Sequence, residues 1–247
     1  MRVAPAWLAR AADGLLAVLL APPCAACERP LDHPTRSVVC DSCWQAIVPF
    51  RPPVCARCGD PLPSWRVISI DAGLCPRCRR TSGRVSCAGA IGAYDGPLRA
   101  IVHALKYDRR RSLARPVAGL IRAHAGAILD GADVVVPVPL HRARRRARGF
   151  NQAAEIARFL DPPCLDALQR PRRTPSQTDL PAARRHANVR GAFRLRPGVD
   201  VRSLCVVLVD DVSTTGATLE ACAEVLMAAG AREVRAVTAA RVVSRRP

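Results

Sequence analysis

Two adjacent carboxylates, Asp210 and Asp211, stand just ahead of a hydroxylated, glycine-containing run: Ser213, Thr214, Thr215, Gly216, Ala217 and Thr218. Carboxylates accept hydrogen bonds from sugar hydroxyls, while unpaired N–H groups at a helix start hold phosphate. Gly216 admits close approach of a ligand to the backbone. Two acids beside a phosphate cup are explained by a ligand that also offers hydroxyls or Mg²⁺, and a ribose 5-phosphate offers both. Simple helix N-capping would account for one acid and one threonine, but not for the whole series.

Eight of the twelve cysteines form four Cys-x-x-Cys pairs: Cys24/Cys27, Cys40/Cys43, Cys55/Cys58 and Cys75/Cys78. That is a metal spacing, since each pair presents two sulfurs from one tight turn. Eight thiolates make two tetrahedral sites, for which Zn²⁺ in a structural role is expected and an iron–sulfur cluster is the alternative. Consecutive pairing needs the shorter loops, though the spacing also permits interleaved pairing. A segment with so few large apolar residues needs the metal to fold. Its Arg51, Arg57, Arg66, Arg77, Arg79, Arg80, Trp44 and Trp65 could offer charge and stacking to nucleic acid, or simply be solvated. Cys87, Cys164, Cys205 and Cys222 lie outside the pairs and read as buried structural thiols.

A third constellation is basic. Lys106 is the only lysine among 38 basic residues. A compact ammonium is not equivalent to a guanidinium fork, which is a reason to retain it at a phosphate or pyrophosphate site, although chance could also leave one lysine. His141, Arg142, Arg144, Arg145, Arg146 and Arg148, ending in Gly149, follow Pro139 and Leu140 and read as an anion trap at a strand end; a solvated charge run is the plain alternative.

These residues need elements to position them. Leu204–Val209 is a continuous apolar run rich in β-branched residues, suited to a parallel strand covered on both faces. From Thr218, Leu219, Cys222, Ala223, Leu226 and Met227 recur at helical spacing, which places Ser213 to Ala217 at a helix N-terminus. Upstream, Val85–Tyr94 reads as a strand, Pro97 opens a helix that ends at Lys106 and Tyr107, and a second helix spans about 113–129. Asp133–Leu140 is the next strand, with its prolines at the end, followed by a helix from Gln152 to Leu160. Gly230 ends the helix after the acids, and Glu233–Val243 is the last strand. This alternation predicts an α/β fold with a mostly parallel sheet flanked by helices. The expected organisation is an N-terminal amphipathic helix over 1–22, a zinc-ribbon-like module over 23–82 and the α/β domain over 85–247.

At 247 residues the chain can hold one sizeable core and a small satellite. A net charge of +18 with 4% aromatic residues points to polyanionic partners, although the preference for arginine is what a GC-rich genome would produce anyway. Paired cysteines at metal spacing favour a reducing, cytoplasmic setting. The stretch Leu15–Cys24 superficially imitates a lipoprotein signal, but Asp13 interrupts it and Pro23 is a poor cleavage position. No apolar run reaches the ~18 residues of a membrane span.

The stretch around Asp210 and Asp211 resembles the phosphoribosyl pyrophosphate (PRPP) loop of type I phosphoribosyltransferases. Together with Leu105-Lys106-Tyr107, Pro137-Val-Pro139-Leu140, Arg148-Gly-Phe-Asn-Gln152 and the segment 177–188, it is similar to the ComF competence family, in which a Cys-rich zinc region precedes a phosphoribosyltransferase-like domain. The resemblance implies that Asp210 and Asp211 take the ribose hydroxyls and that Ser213 to Thr218 hold the 5-phosphate. It also implies a pyrophosphate loop at Pro137–Arg142, and a mobile loop over 170–190 with Gln177, Arg184 and Asn188 at recurrent positions. Arg184 joins Asp210 and Asp211 as a catalytic expectation. The implied ligand is PRPP with Mg²⁺ or another ribose 5-phosphate, and the implied setting is DNA uptake and transformation with single-stranded DNA and the competence machinery. An active transferase of nucleobase or amine metabolism, without a DNA role, is the alternative.

Overall fold

The computed structural model describes residues 22–62, 73–172 and 191–243, with positions 14, 15, 20 and 189. Most of the expected N-terminal helix and the loop residues Gln177, Arg184 and Asn188, as well as Trp65 and Arg66, lie outside the described residues.

The centre is a four-stranded parallel sheet in the order β1-β6-β5-β2, formed by β1 (Ala88–Ala93), β2 (Val134–Pro137), β5 (Cys205–Ser213) and β6 (Glu233–Arg241). A two-stranded antiparallel ribbon, β3 (Leu168–Gln169) with β4 (Arg194–Leu195), stands apart from it. Strand β5 is apolar on both faces because it is covered on both. Val207 and Val209 pack with α3 (Gly96–Tyr107), α4 (Ala114–Ala125) and α6 (Gln152–Ala157). Val206 and Leu208 pack with α7 (Ala217–Ala228).

The helices after β1 and β2 therefore lie on one face, and the helix after β5 lies on the other. Neighbouring strands whose connections depart to opposite faces leave a crevice at their carboxyl ends, the usual place for a ligand in such sheets. In this chain that crevice lies between the ends of β2 and β5.

Helix α3 starts with Pro97 in its first turn and ends at Tyr107, as its periodicity predicts. The second expected helix is shorter than read, because 3-10 turns at Arg111–Leu113 and Gly126–Ile128 flank α4. The largest local departure is the arginine run, which folds as a separate short helix, α5 (Arg142–Arg148), closed by Gly149 at φ 81°. Among the extra cysteines, Cys205 and Cys222 are buried as expected, but Cys87 is half-buried and Cys164 is exposed. Cys164 follows Pro162 and Pro163 along the open edge of β2, where one side of the chain faces solvent.

The two cysteine-rich ribbons, which carry short helices α1 (Asp41–Gln45) and α2 (Pro76–Arg80), cover the β1 edge. Phe50 N–H donates to Ile91 O at 2.8 Å, and Pro49 bridges to Gly92. A Cβ at Gly92 would collide with the Val48 carbonyl, so glycine is what allows this approach. The first ribbon enters the main core through Cys24, Leu31, Val39, Cys43 and Ile47. The second keeps a small cluster of its own, its four cysteines with Leu62 and Leu74.

Candidate functional site

Strand β5 does not stop at Val209. It runs through both acids to Ser213, and a strand turns successive side chains to opposite faces. Asp211 accordingly emerges on the α3 side, where Lys106 Nζ meets its Oδ1 at 2.8 Å. Asp210 emerges on the α7 side, near Cys222 and Arg170. The tandem acids thus straddle the strand end.

Their environments separate their chemistry. Burial, followed by repulsion from Asp211, pushes the Asp210 carboxyl up to about 7, against the opposing pull of Lys106, the Asp211 N–H and Arg170. Burial works against the Lys106 ammonium, but the Asp211 carboxylate outweighs it and holds Lys106 above its ordinary value. Tyr94 supports this pair, its ring centroid 5.9 Å from Lys106 Nζ.

After Ser213 the chain turns through Thr214 and Thr215 to Gly216, the N-cap of α7, at φ 76°. That left-handed value suits glycine. Thr215 Oγ1 accepts from Ala217 N–H at 3.4 Å. The first-turn N–H groups of the twelve-residue α7 lack intrahelical acceptors. A cavity of about 150 Å³ joins these parts, lined by Lys106, Pro139, Leu140, both acids, Ser213, Thr214, Gly216, Ala217 and Thr218. Thr215 is absent from that lining and faces a different cavity, behind the turn.

The arginine run does not converge on one point, because a helix spreads its side chains around the axis. Arg144 and Arg148 line the cavity with the acids. Arg148 also lies over the Tyr107 ring at 5.1 Å and donates to Gln152 Oε1 at 3.1 Å. Arg142 and Arg145 instead line a neighbouring cavity of about 590 Å³ that shares Pro139, Leu140 and Arg170 with the first. His141 caps α5, its Nδ1 accepting from Ala143 N–H at 3.2 Å, and lines neither cavity.

Sequence reasoning missed Arg170 and Tyr107 as parts of the site, and did not single out Arg144 within its run. Arg170 is 7% exposed, sits 5.1 Å over the Phe193 ring and borders both cavities. Burial and the nearby Arg144 hold it below the usual guanidinium value. Its place at the edge of a long polar segment disguised it as one more loop arginine.

The eight paired cysteines gather into two clusters, Cys24/Cys27/Cys40/Cys43 and Cys55/Cys58/Cys75/Cys78, each with all sulfurs within 4.8 Å of one another. Pairing is therefore consecutive. Tetrahedral Zn–S bonds of ~2.3 Å require sulfurs about 3.8 Å apart. Cys27 and Cys40 stand at 3.8 Å, and Cys58 and Cys75 at 3.7 Å. Backbone N–H groups point at sulfur from Cys40 to Cys24 (3.3 Å) and from Cys75 to Cys55 (3.2 Å), as thiolate ligands require. Two four-cysteine clusters of this geometry fit two zinc ions. Trp44 is tied to Ser37 Oγ at 3.3 Å and packs against the core, so it is not a free stacking platform.

Residues 15–79 match the family model of the double zinc ribbon domain, and residues 107–247 that of the phosphoribosyl transferase domain. The DNA utilization protein YhgH of Salmonella typhimurium is 33% identical over 80% of this chain and 87% of its own length. Competence protein F of Haemophilus influenzae is 30% identical over 82% of this chain and 90% of its own. With two cysteine clusters ahead of a parallel sheet whose acids straddle a strand end, the chain belongs to the ComF family, a double zinc ribbon joined to a phosphoribosyl transferase domain.

Proposed function

We propose that this protein binds a ribose 5-phosphate ligand, PRPP with Mg²⁺, in the crevice between β2 and β5, and that it serves DNA uptake by handling single-stranded DNA. The observation that carries the reading is the strand end itself: Asp210 and Asp211 on either side of β5, one paired with Lys106, leading into the Gly216-capped start of α7. The cup would take the 5-phosphate and the acids the ribose hydroxyls. Lys106, Arg144 and Arg148 supply positive charge for a pyrophosphate arm beside Pro139 and Leu140. Mg²⁺ arriving with the ligand would screen that arm's charge. Arg184 and Gln177, on the segment outside the described residues, would close over the ligand. The DNA role draws on the relatives' names, competence protein F and DNA utilization protein, and on the net charge of +18.

Calorimetry with ribose 5-phosphate, and with PRPP plus Mg²⁺, tests the site: binding to the wild type that disappears on D210N plus D211N supports it. Undiminished binding to the double variant would remove the site. A second reading, an active transferase, gains support from Asp210, because a carboxyl that titrates near neutrality can accept a proton from an acceptor amine. Its measurement is pyrophosphate release from PRPP in the presence of nucleobases or amines.

A further inference from the structure

The second cysteine cluster is connected to the turn after β5 through the protein interior. Asp60, two residues beyond Cys58, pairs with Arg241, the last residue of β6. The same guanidinium donates from Nη1 to Ser213 Oγ at 3.3 Å, where β5 ends and the turn begins. Arg241 is 3% exposed, and its Nη2 has no hydrogen-bond partner. The Asp60 carboxylate is the partner that offsets the cost of burying this charge. A second approach comes from α2, where Arg77 Nη2 lies 3.7 Å from the point a Cβ of Gly216 would occupy. Arg57, Arg77, Arg241, Thr215 and Gly216 line a common cavity of about 630 Å³ behind the turn.

A buried guanidinium is tolerated where counter-charge is fixed around it. Four thiolates around a divalent ion carry roughly two negative charges and hold the loop bearing Asp60 in place. With the ion gone, the loop loses its anchor, and Arg241 keeps only Ser213. The order of the turn then depends on the order of the ribbon, and any such dependence is reciprocal.

We propose that Arg241 is a positioning residue that couples the Cys55/Cys58/Cys75/Cys78 metal site to the turn Ser213–Gly216, so that zinc and a ribose 5-phosphate bind with positive cooperativity. The proposal rests on the sugar-phosphate reading of the turn.

The test follows zinc loss from the full-length, zinc-loaded protein to a chromophoric chelator, with and without saturating ribose 5-phosphate. Alkylation of the released thiols and mass spectrometry assign each phase to its cluster. The expected result is that ribose 5-phosphate slows loss from the second cluster about fivefold or more and leaves the first unchanged. In D60N, which keeps the side-chain shape and retains calorimetric binding of ribose 5-phosphate, the protection falls toward none while the variant still purifies with two zinc ions. Protection of equal size in D60N overturns the Asp60–Arg241 route. Calorimetric binding of ribose 5-phosphate with no selective protection overturns the coupling and leaves the site reading standing. Absence of binding to the wild type overturns both.

Discussion

Two neighbouring aspartates in this protein should act on stability in opposite directions. Asp210 is held neutral to about pH 7, chiefly by burial and then by Asp211, with Lys106, Arg170 and Cys222 also facing it. A carboxyl whose folded pKa is raised gives no penalty below the unfolded value near 3.9. The penalty grows between that value and 7, and is complete above 7. D210N should therefore raise the melting temperature at pH 8, progressively less toward pH 5, and not at all near pH 3.5. Ligand affinity should move the other way. Sugar hydroxyls need the ionised acceptor, so wild-type affinity for ribose 5-phosphate should rise from pH 6 to pH 8 more steeply than that of D210N, whose residual rise reports the phosphate's own ionisation. Asp211 differs because Lys106 depends on it at 2.8 Å, with both side chains nearly buried. D211N leaves a buried ammonium short of a partner, and denaturant unfolding at pH 7.5 should show a loss of up to about 3 kcal/mol. A site in which one acid costs stability and the other contributes it is the pattern expected where function, not packing, chose the residues.

At the scale of elements, the unit β5–turn–α7 works because one residue changes the chain's direction. Gly216 at φ 76° ends the extended run and starts the helix. G216A forces a Cβ into the left-handed region at a cost of about 1 kcal/mol or slightly more. The Ala side chain would meet the Arg77 guanidinium only at ordinary van der Waals distance, so the strain lies in the backbone of the turn. The expected readout is a modest fall in unfolding free energy with a disproportionate loss of ribose 5-phosphate binding by calorimetry. Much of this unit was legible in the sequence, because a doubly covered strand and an amphipathic helix each leave a periodic trace: Leu204–Val209 and the series from Leu219 to Met227. Two features were not. That β5 continues through Asp210 and Asp211 depends on pairing with Thr238 and Ala240 of β6, a tertiary partner that polar residues do not announce. That the arginines from Arg142 to Arg148 form a helix and divide between two cavities is hidden because a run of one residue type has no periodicity. Consecutive pairing of the cysteine knuckles was favoured by loop length, but fixed only by the folded sulfur positions.

Across the whole molecule, charge and architecture point the same way. The zinc ribbons close the β1 edge and touch the back of the turn, while the arginines of α5 lie near the opposite edge, so the crevice between β2 and β5 sits between a cysteine-rich flank and a basic one. No helix among the described residues is long and apolar enough to cross a membrane. Arg145 and Arg146 are exposed, and Arg146 lines neither cavity at the carboxyl ends of the strands, which makes it a test of surface charge apart from the crevice. If single strands run along this flank, each arginine on a phosphate releases a counterion, and log affinity falls with log salt by about 0.7 per contact. R145A plus R146A should then lower affinity for an oligothymidine at low salt and flatten that slope by about 1.4, twice the single-contact value, with ribose 5-phosphate affinity unchanged within about twofold. A wild-type slope near zero would remove phosphate contacts from the account. An unaltered slope in the double variant would move them to another face, where the exposed Arg51, Arg79 and Arg80 of the ribbons are the next basic group to meet a strand.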